Sequence, residues 1–483
     1  MSEVALITNK TFEEIAIGDS ASVTRTLTED DLQLFATVSG DLNPTHFDLD
    51  FEIAEKSKGS VLGHGMWCGS LFSGLFGNQL PGPGTIYKSQ SLNFHNPVLL
   101  GETVAVTVTV KQKTEKDKSI LFDCAIVNDS GKTIVTGVAE VHAPSERVSR
   151  EKTELASVTV ARHGQYGELL KKAAAFEPVP TVVCHPCSDV ALAGALEAAD
   201  GELILPILVG PKARIEAVAQ RIDASVADYE IIDTEHSHDS AKRSVELIRE
   251  GRGELLMKGS LHTDEMMHET TDRDTGLRTE RRLSHAFVMD VPTYRRSLII
   301  TDAGINIYPN LEDKADILRN AIELARALGV ERPNVAILSA VETVTPNIAS
   351  TIEAAALCKM ADRGQIADAV LDGPLAFDNA ISLDAANTKG ISSPVSGRAD
   401  IMLVPDLEAG NMLAKQLTFL ANANPAGVVL GARVPIILTS RADSARARIA
   451  SCAVAVILAN ARRQAVANRC PATVRSEKEN AHE

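Results

Sequence analysis

The sequence predicts two successive domains of different class: an α+β domain with an antiparallel sheet, followed by a larger α/β domain with parallel sheets. The first observation is length, because 483 residues exceed one hydrophobic core and suggest roughly 2–4 domains. The second is a change of periodicity between residues 1–143 and 165–483. Helices precede alternating strands in the first part, whereas short apolar strands alternate with helices in the second.

The first domain is predicted to contain two helices and four strands. Thr28 is a typical N-cap residue and Gly40 a typical helix stop, so a helix is expected between them. A second helix, within 61–78, mixes small residues with Leu and Phe, which suits close packing in the concavity of a curved sheet. Val104–Val110 alternates with period two and places its valines on one face of an antiparallel strand. The other predicted strands are Ile86–Phe94, Ile120–Val127 and Thr133–Val141.

Segment 144–164 is charged and lacks periodicity, so it is predicted to be a linker.

Residues 165–483 exceed one typical α/β core, and two subdomains with a cleft between them are expected. No GxGxxG or GxxxxGK[ST] motif follows a strand, which argues against a dinucleotide site or a P-loop. The predicted strands are Thr181–Cys184, Leu203–Val209, Glu230–Asp233, Glu254–Met257, Ala286–Asp290, Leu298–Asp302, Val335–Ser339, Ala369–Asp372, Ile401–Pro405, Val428–Leu430 and Ile436–Thr439.

Composition and charge exclude several classes of function. A formal charge of −16 argues against nucleic acid or an anionic membrane as a partner, although a local basic pocket can still bind a small anion. The first residues lack a basic n-region, and no apolar run approaches the ~18 residues of a membrane helix. A cytoplasmic location is therefore expected.

Cys184 and Cys187 have no second ligand pair at zinc spacing, so no metal site is predicted. They are free thiols at the end of a buried strand or, alternatively, a redox pair.

The segment Ser39–His46 brings a carboxylate and an imidazole close together around an Asn-Pro turn. Proline and the residue before it disfavour helix, so Asp41 and His46 are expected on irregular backbone after a short helix. Such a pair can share a water molecule or a substrate proton, as addition of water to a double bond requires. The alternative is that Asp41 caps a turn and His46 is a satisfied core residue.

Residues 10–142 resemble the MaoC-like (R)-specific enoyl-CoA hydratases. The segments that match in order and spacing are Ser39–His46, Gly63–Met66, Leu80–Thr85 and Asn93–Val98. The resemblance implies a hot-dog fold and hydration of trans-2-enoyl-CoA to (R)-3-hydroxyacyl-CoA. It also implies that Asp41 and His46 form the catalytic dyad, that Asn43 shapes their turn, and that the Gly65 N–H holds the thioester oxygen. For His64, helix-start packing and substrate contact both remain open.

Residues 165–483 resemble the phosphate acetyl/butyryltransferases. This family interconverts acyl-CoA plus phosphate with acyl phosphate plus CoA, through a ternary complex and without an organic cofactor. The segments that match are Met257–Ser260, Asp302–Asn306, Leu371–Asp378, Ala399–Asp406 and Leu438–Ser444, the last resembling butyryltransferase-type members.

The transferase chemistry requires an anion site for phosphate and a base for the CoA thiol. Ser440 and Arg441, at a strand-to-helix junction, suit the phosphate. Asp443 is the candidate base or a structural carboxylate; acetyltransferase members tend to place that aspartate further along the helix, where this chain has Ala447.

Four further residues are candidates for substrate binding. Lys258 and Arg278 could bind phosphate or could be solvated, and Asp302 and Asn306 could form the site or only fix a crossover.

The sequence therefore predicts a bifunctional acyl-CoA enzyme with two active domains. It is expected to bind no cofactor tightly and no metal, with coenzyme A thioesters and phosphate as its substrates. Because hot-dog domains usually pair, a homodimer or a multiple of a dimer is expected. Two alternatives remain: only the transferase is active and the hot-dog is a CoA-binding or dimerising module, or the whole chain is a non-catalytic acyl-CoA sensor.

Overall fold

The computed structural model describes residues 6–47, 60–151, 164–438 and 444–469. Contacts divide the chain into two compact units, Met1–Val160 and Ala161–Glu483. Each unit has its own main sheet and its own hydrophobic cores.

The first unit is an antiparallel sheet packed on a helix. Its strands are β1 (Leu6–Thr8), β2 (Ser20–Thr26), β3 (Ile86–Phe94), β4 (Thr103–Thr114), β5 (Ser119–Asn128), β6 (Thr133–His142) and β7 (Ser149–Glu151). Its helices are α1 (Glu29–Ser39) and α2 (Gly65–Asn78), with 3-10 turns at Phe12–Glu14 and Pro44–His46. Five strands form a sheet in the order β2-β4-β5-β6-β3, in which all neighbours are antiparallel.

The core of this unit lies between α2 and the sheet. Phe72, Leu75 and Phe76 of α2 are at most 1% exposed, and the Phe76 ring meets the Phe122 ring edge to face at 4.9 Å. The even-numbered valines of β4 are buried, as the period-two pattern predicts. A long central helix against an antiparallel sheet confirms the predicted α+β hot-dog class.

Helix α1 is followed directly by the turn that contains Asp41, and hydrogen bonds cap the helix at both ends. The Thr28 hydroxyl accepts a hydrogen bond from the Asp31 N–H, and the Asp31 carboxylate accepts one from the Thr28 N–H. This is a reciprocal capping box. At the other end Gly40 has φ +74° and donates its N–H to the Ala36 carbonyl, which is the left-handed geometry that favours glycine.

Removing the cap should destabilise the first unit modestly. Thr28→Ala is expected to lower its free energy of unfolding by about 1 kcal/mol, because the first helical N–H groups lose their side-chain acceptor. Thermal unfolding of the full chain, followed with the exposed Thr37→Ala as control, measures this. An unchanged unfolding transition in Thr28→Ala would show that the capping box contributes nothing.

The predicted linker, 144–164, needs correction at both ends. Strand β7 pairs with β1, and the Asn9 side chain bonds the Glu146 carbonyl at 2.9 Å and the Val148 N–H at 2.8 Å. Residues up to 151 therefore belong to the first unit, and α3 already begins at Gly164. The charged composition misled because these residues are held by backbone and amide hydrogen bonds rather than by apolar contacts. The rest, 152–163, lies outside the described residues.

Cleavage within 152–160 is expected to leave two folded fragments, because the contacts divide near residue 160 and domain boundaries fall where few contacts cross. A protease site inserted there should release fragments that unfold cooperatively and independently. A site inserted in the loop 129–132, inside the β5–β6 hairpin, serves as control. A molten C-terminal fragment after the first cut would contradict the boundary.

The second unit contains every strand that the apolar pattern predicts, with shifts of a few residues at the ends. The strands are β8 (Val179–Cys184), β9 (Ile204–Val209), β10 (Glu230–Ile232), β11 (Leu255–Lys258), β12 (Ser284–Asp290), β13 (Leu298–Thr301), β14 (Asn334–Leu338), β15 (Val370–Leu375), β16 (Ile401–Leu403), β17 (Asn424–Leu430) and β18 (Ile436–Ile437). The helices are α3 (Gly164–Ala173), α4 (Asp189–Asp200), α5 (Lys212–Arg221), α6 (Ser237–Arg249), α7 (Thr263–Thr271), α8 (Leu311–Ala327), α9 (Ala349–Asp362), α10 (Phe377–Ile381), α11 (Leu383–Thr388), α12 (Leu407–Leu420) and α13 (Ala445–Arg469).

These strands form one mixed sheet in the order β10-β9-β8-β11-β18-β17-β12-β13-β16-β14-β15. The five strands from β10 to β18 are parallel, and so are the four from β13 to β15. Between them, β17 and β12 are antiparallel to each other and to their outer neighbours. The two parallel sets therefore run in opposite directions.

The expectation of separate parallel sheets is thus corrected, although the α/β class is confirmed. Strands β12 and β17 are buried on both faces, so they carry the same near-continuous apolar pattern as parallel strands. That pattern does not encode strand direction. Each parallel set has apolar clusters on both of its faces, and the two halves share one sheet.

Helix α13 is a core element of this unit. In the described part of the chain it is the one helix that is long and apolar enough to cross a membrane, over Ala445–Ala467. Of its most apolar window, 61% is buried inside the protein, and its side chains belong to apolar clusters of both halves. A helix buried to this extent is explained by packing in the protein core.

Candidate active sites

The turn after α1 holds the predicted dyad. The Asn43 N–H donates to Asp41 Oδ1 at 3.2 Å, and Asn43 Oδ1 accepts from the Thr45 N–H at 3.3 Å. The second bond caps the short 3-10 turn Pro44–His46. Asn43 thus connects the backbone of the turn to the Asp41 carboxylate, and His46 is the last residue of the same turn.

The protonation pattern of His46 follows from its partners. Its Nδ1 lies 2.8 Å from the Leu62 carbonyl, which can only accept, so Nδ1 carries the proton. In the neutral ring Nε2 then presents a lone pair, and Nε2 lies 3.7 Å from Asp41 Oδ2. The side chain of Asp41 is 49% exposed and that of His46 is 11% exposed. Two acceptors at this distance suit one water molecule that donates a hydrogen to each.

His64 is the third polar side chain of this site. It is 1% exposed, its ring stacks on that of His46 at 3.8 Å and 28°, and its Nε2 lies 3.1 Å from the Asp41 carbonyl. Burial lowers the pKa of His64 below its usual range. Ligand atoms of Asp41, His46 and His64 lie within 4.8 Å of one another. Stacked rings direct their in-plane lone pairs side by side, however, which does not suit joint coordination of one ion.

Gly65 follows His64 directly and is the first residue of α2. Its N–H therefore has no acceptor within the helix. A Cβ at this position would lie 3.5 Å from the Phe94 ring, an ordinary contact. The structure thus brings Asp41, His46 and a helix N-terminal amide to one location, which is what polarisation of a thioester and activation of water require.

Among the transferase candidates, Lys258 ends β11, the strand that pairs with β18. It is 5% exposed and donates to the Gly259 carbonyl at 3.4 Å. Strand pairing aligns Met257 with Ile437, so Lys258 and Leu438 emerge at the same end of neighbouring parallel strands. The chain continues from Leu438 toward Ser440, Arg441 and Asp443, which lie outside the described residues and stay predictions.

The side chains of Asp302 and Asn306 form hydrogen bonds with neighbouring groups of the same chain. Asp302 Oδ1 accepts from the N–H groups of His285, Gly304 and Ile305. Its Oδ2 accepts from the backbone N–H of Asn306 at 3.1 Å and from the Asn306 side chain at 2.5 Å. This pattern fits the alternative in which both residues fix the crossover after β13.

Arg278 and Ala447 occupy different environments. Arg278 is exposed and its backbone bridges to Ala432 just after β17; β17 and β18 are antiparallel, so their carboxyl ends point in opposite directions. Nothing described places Arg278 beside Lys258. Ala447 is 4% exposed within α13. A carboxylate at that position would need a buried partner, which is consistent with alanine there.

His285 was not singled out from the sequence. It is 2% exposed in β12, its ring meets the Phe287 ring edge to face at 4.5 Å, and burial lowers its pKa to about 4. A histidine inside an apolar strand gives no signal of its own.

The Cys184 thiol is fully buried, and its pKa is raised to about 12. It is therefore a thiol at pH 7 and unsuited to redox attack.

Comparison with known families defines the class of each unit. Residues 211–456 match the family model described as phosphate acetyl/butaryl transferase, and residues 15–129 match the MaoC like domain. The chain is therefore a fusion of a MaoC-like hot-dog domain with a phosphate acyltransferase domain.

Individual relatives agree with this assignment for the second unit. The chain is 62% identical to a phosphate acetyltransferase of Rhizobium meliloti over 63% of its own length and 96% of that protein. It is 39% identical to a phosphate butyryltransferase of Clostridium beijerinckii, over 61% of this chain and 97% of the relative. A branched-chain phosphotransacylase structure from Enterococcus faecalis superposes with TM-score 0.52 and 26% identity, covering 58% and 99% of the two chains. The chain belongs to the phosphate acetyl/butyryl transferase family.

Proposed function

We propose that the chain is a bifunctional acyl-CoA enzyme that hydrates trans-2-enoyl-CoA and transfers acyl groups between CoA and phosphate. The observation that supports hydration is the dyad geometry, in which His46 Nε2 and Asp41 Oδ2 lie 3.7 Å apart and the adjoining His64 precedes the first N–H of α2. The transferase activity is supported by the family of the second unit and by the names of its relatives.

In the proposed hydration the dyad activates one water molecule. Water donates its hydrogens to Asp41 Oδ2 and His46 Nε2 while its oxygen attacks Cβ of the enoyl thioester. One water proton passes to the dyad, and the dyad returns a proton to Cα, so that H and OH add across the double bond. The Gly65 N–H donates to the thioester oxygen as negative charge develops there. The product is the (R)-3-hydroxyacyl-CoA that the MaoC-like family implies.

In the proposed transfer a phosphate oxygen attacks the thioester carbonyl carbon, the C–S bond breaks, and CoA leaves as a thiol after protonation. Arg441 and Ser440 are proposed to hold the phosphate, with Lys258 close by, and Asp443 to exchange the thiol proton. Each step uses only acid–base and electrostatic groups of this chain. We therefore propose that no cofactor is bound tightly and no metal takes part, with acyl-CoA and phosphate as substrates in the cytoplasm.

Two assays on the purified full chain test the proposal. Crotonyl-CoA should be consumed, with chiral analysis of the product giving (R)-3-hydroxybutyryl-CoA. Acetyl- or butyryl-CoA should release CoA thiol only when phosphate is added. Transfer without hydration would leave the hot-dog as a CoA-binding or dimerising module, and absence of both would favour an acyl-CoA sensor.

We also propose a homodimer or a multiple of one. Strand β3 is an edge of the five-stranded sheet and exposes Ile86 by 65% and Phe94 by 50%. Exposed apolar side chains on an unpaired edge favour pairing with another copy. Light scattering coupled to size exclusion measures the mass, and a strict monomer would contradict this.

A further inference from the structure

We infer that His64 is a positioning residue of the hydration site, which it holds in register through the Asp41 backbone and the His46 ring. The inference rests on the proposed hydratase function. It differs from both roles that the sequence allows, namely packing at a helix start and direct contact with substrate.

His64 does not act as a helix cap. It occupies the N-cap position of α2, yet its side chain makes no capping hydrogen bond. Its Nε2 instead lies 3.1 Å from the Asp41 carbonyl. Since a carbonyl oxygen only accepts, Nε2 carries the proton and the ring is fixed as one tautomer. The bond links the start of α2 to the backbone of the residue that supplies the carboxylate.

His64 also restricts the orientation of the His46 ring. His64 covers one face of it at 3.8 Å, and the Phe35 ring packs on His64 with centroids 5.2 Å apart. His46 is also held by the hydrogen bond from its Nδ1 to the Leu62 carbonyl and by an edge contact with the Phe47 ring, whose centroid lies 6.4 Å away. The hydrogen bond alone leaves rotation about its axis open, and the imidazole stacked on the ring face restricts that rotation. The direction of the Nε2 lone pair, which must meet the water, is thereby set.

His64 is also connected through the backbone to the proposed thioester-binding amide. Gly65, whose N–H is proposed to hold the thioester oxygen, is the next residue after His64. One side chain therefore fixes the Asp41 backbone, the His46 ring and the chain that carries the Gly65 amide. A displacement of about 1 Å in such a group can cost about 10²-fold in rate. Burial lowers the pKa of His64, which favours the neutral ring beside His46.

Three substitutions separate the contributions. His64→Phe retains a flat ring for stacking and removes the donor to Asp41. His64→Gln places an amide N–H at a similar reach and removes the ring. Each should lower kcat for crotonyl-CoA by about 10- to 100-fold with KM changed less than about 2-fold. His64→Ala, which removes both contacts, should lose more than either. Met66→Leu, at a 57% exposed position of the same helix, is the matched control and should keep wild-type kinetics.

The alternatives give different results. A substrate contact predicts a raised KM with kcat retained, and a packing role predicts a lowered thermal transition with kcat retained; either result overturns the inference. Phosphate-dependent acyl transfer by the same preparations shows whether each variant chain is intact. If a variant shows no cooperative thermal transition, nitrogen NMR of the wild-type chain decides instead.

Nitrogen NMR of the ¹⁵N-histidine-labelled full chain supplies a readout that does not need hydration. His64 and His46 are assigned from the signals lost in His64→Gln and His46→Gln. At pH 8, where an unperturbed imidazole is neutral, wild type should show His64 protonated at Nε2 and His46 protonated at Nδ1. In His64→Ala the His46 signals should broaden, because the ring can then rotate about its bond to Leu62. A mixed His64 tautomer in wild type, or an unchanged His46 in His64→Ala, overturns the inference. Wild-type protein that fails to hydrate crotonyl-CoA overturns the proposed function instead.

Discussion

Replacing either member of the dyad should abolish hydration and leave acyl transfer intact. Asp41→Asn retains the size of the side chain but removes the negative acceptor for water, and His46→Gln removes the Nε2 lone pair. Loss of a general acid or base typically costs about 10²–10⁴ in rate. Transfer should persist because Asp41 and His46 belong to the first compact unit, whereas the proposed transferase residues belong to the second.

The measurement is the initial rate of crotonyl-CoA consumption, with phosphate-dependent CoA release recorded on the same preparations. Asp123→Asn is the matched control, since Asp123 lies exposed on β5 in an ion pair with Lys111. Such exposed pairs contribute little to stability. Wild-type hydration in both dyad variants would remove the hydratase assignment, and a parallel loss of transfer would show that the two units do not act independently.

The proximity of Asp41 and His46 could be predicted from the sequence because the geometry of their turn is local. Asp41, Asn43 and His46 lie on one turn, and the hydrogen bonds that shape this turn join residues two positions apart. Proline and glycine fix such a turn with little help from the rest of the fold. His64 was ambiguous because its role depends on a stack with His46 and a bond to Asp41, and helix-start motifs do not encode either contact.

The packed face of helix α2, by contrast, was not evident from its sequence. Its small residues predicted close packing in the sheet, yet Gly74 and Gly77 have open space beside them and the buried face is Phe72, Leu75 and Phe76. Large apolar side chains gain more from burial than glycine does, so they determine the packed face. Among the glycines of α2, Gly69 does allow a close approach of the helix to β3, because a Cβ there would lie 2.8 Å from the Leu92 side chain.

In the second unit the positions of the strands were predictable and their directions were not. Apolar runs reveal which segments are buried, and all eleven appear as strands. The reversal at β12 and β17 is a property of long-range pairing, which local pattern does not contain. The same reason applies to Asp302, for which the sequence leaves a site role and a crossover role open: its hydrogen bonds to Gly304, Ile305 and Asn306 depend on how the following loop folds back.

The second large effect is expected at Arg441. The preceding strand β18 is fully buried and parallel to β11, and α/β sheets bind ligands beyond the carboxyl ends of their strands. Arginine offers a planar two-pronged donor that matches phosphate, whereas lysine offers a point charge. Arg441→Lys should therefore raise KM for phosphate, and Arg441→Gln should lower kcat as well. Charge-assisted hydrogen bonds contribute about 1.5–3 kcal/mol, which corresponds to roughly 10- to 100-fold in kcat/KM for phosphate.

Kinetics with phosphate varied at saturating acyl-CoA measure this effect, and KM for acyl-CoA should change little because the guanidinium is assigned to the anion. Arg433→Gln is the matched control: Arg433 precedes β18, its side chain is exposed, and its backbone N–H bonds to the Leu277 carbonyl at 2.9 Å. If Arg441 only neutralised Asp443 at the surface, both glutamine variants would behave like wild type and the phosphate assignment would be wrong. A larger loss for phosphate than for acyl-CoA in Arg441→Gln, with Arg433→Gln unaffected, is the result that the carboxyl end of β18 leads us to expect.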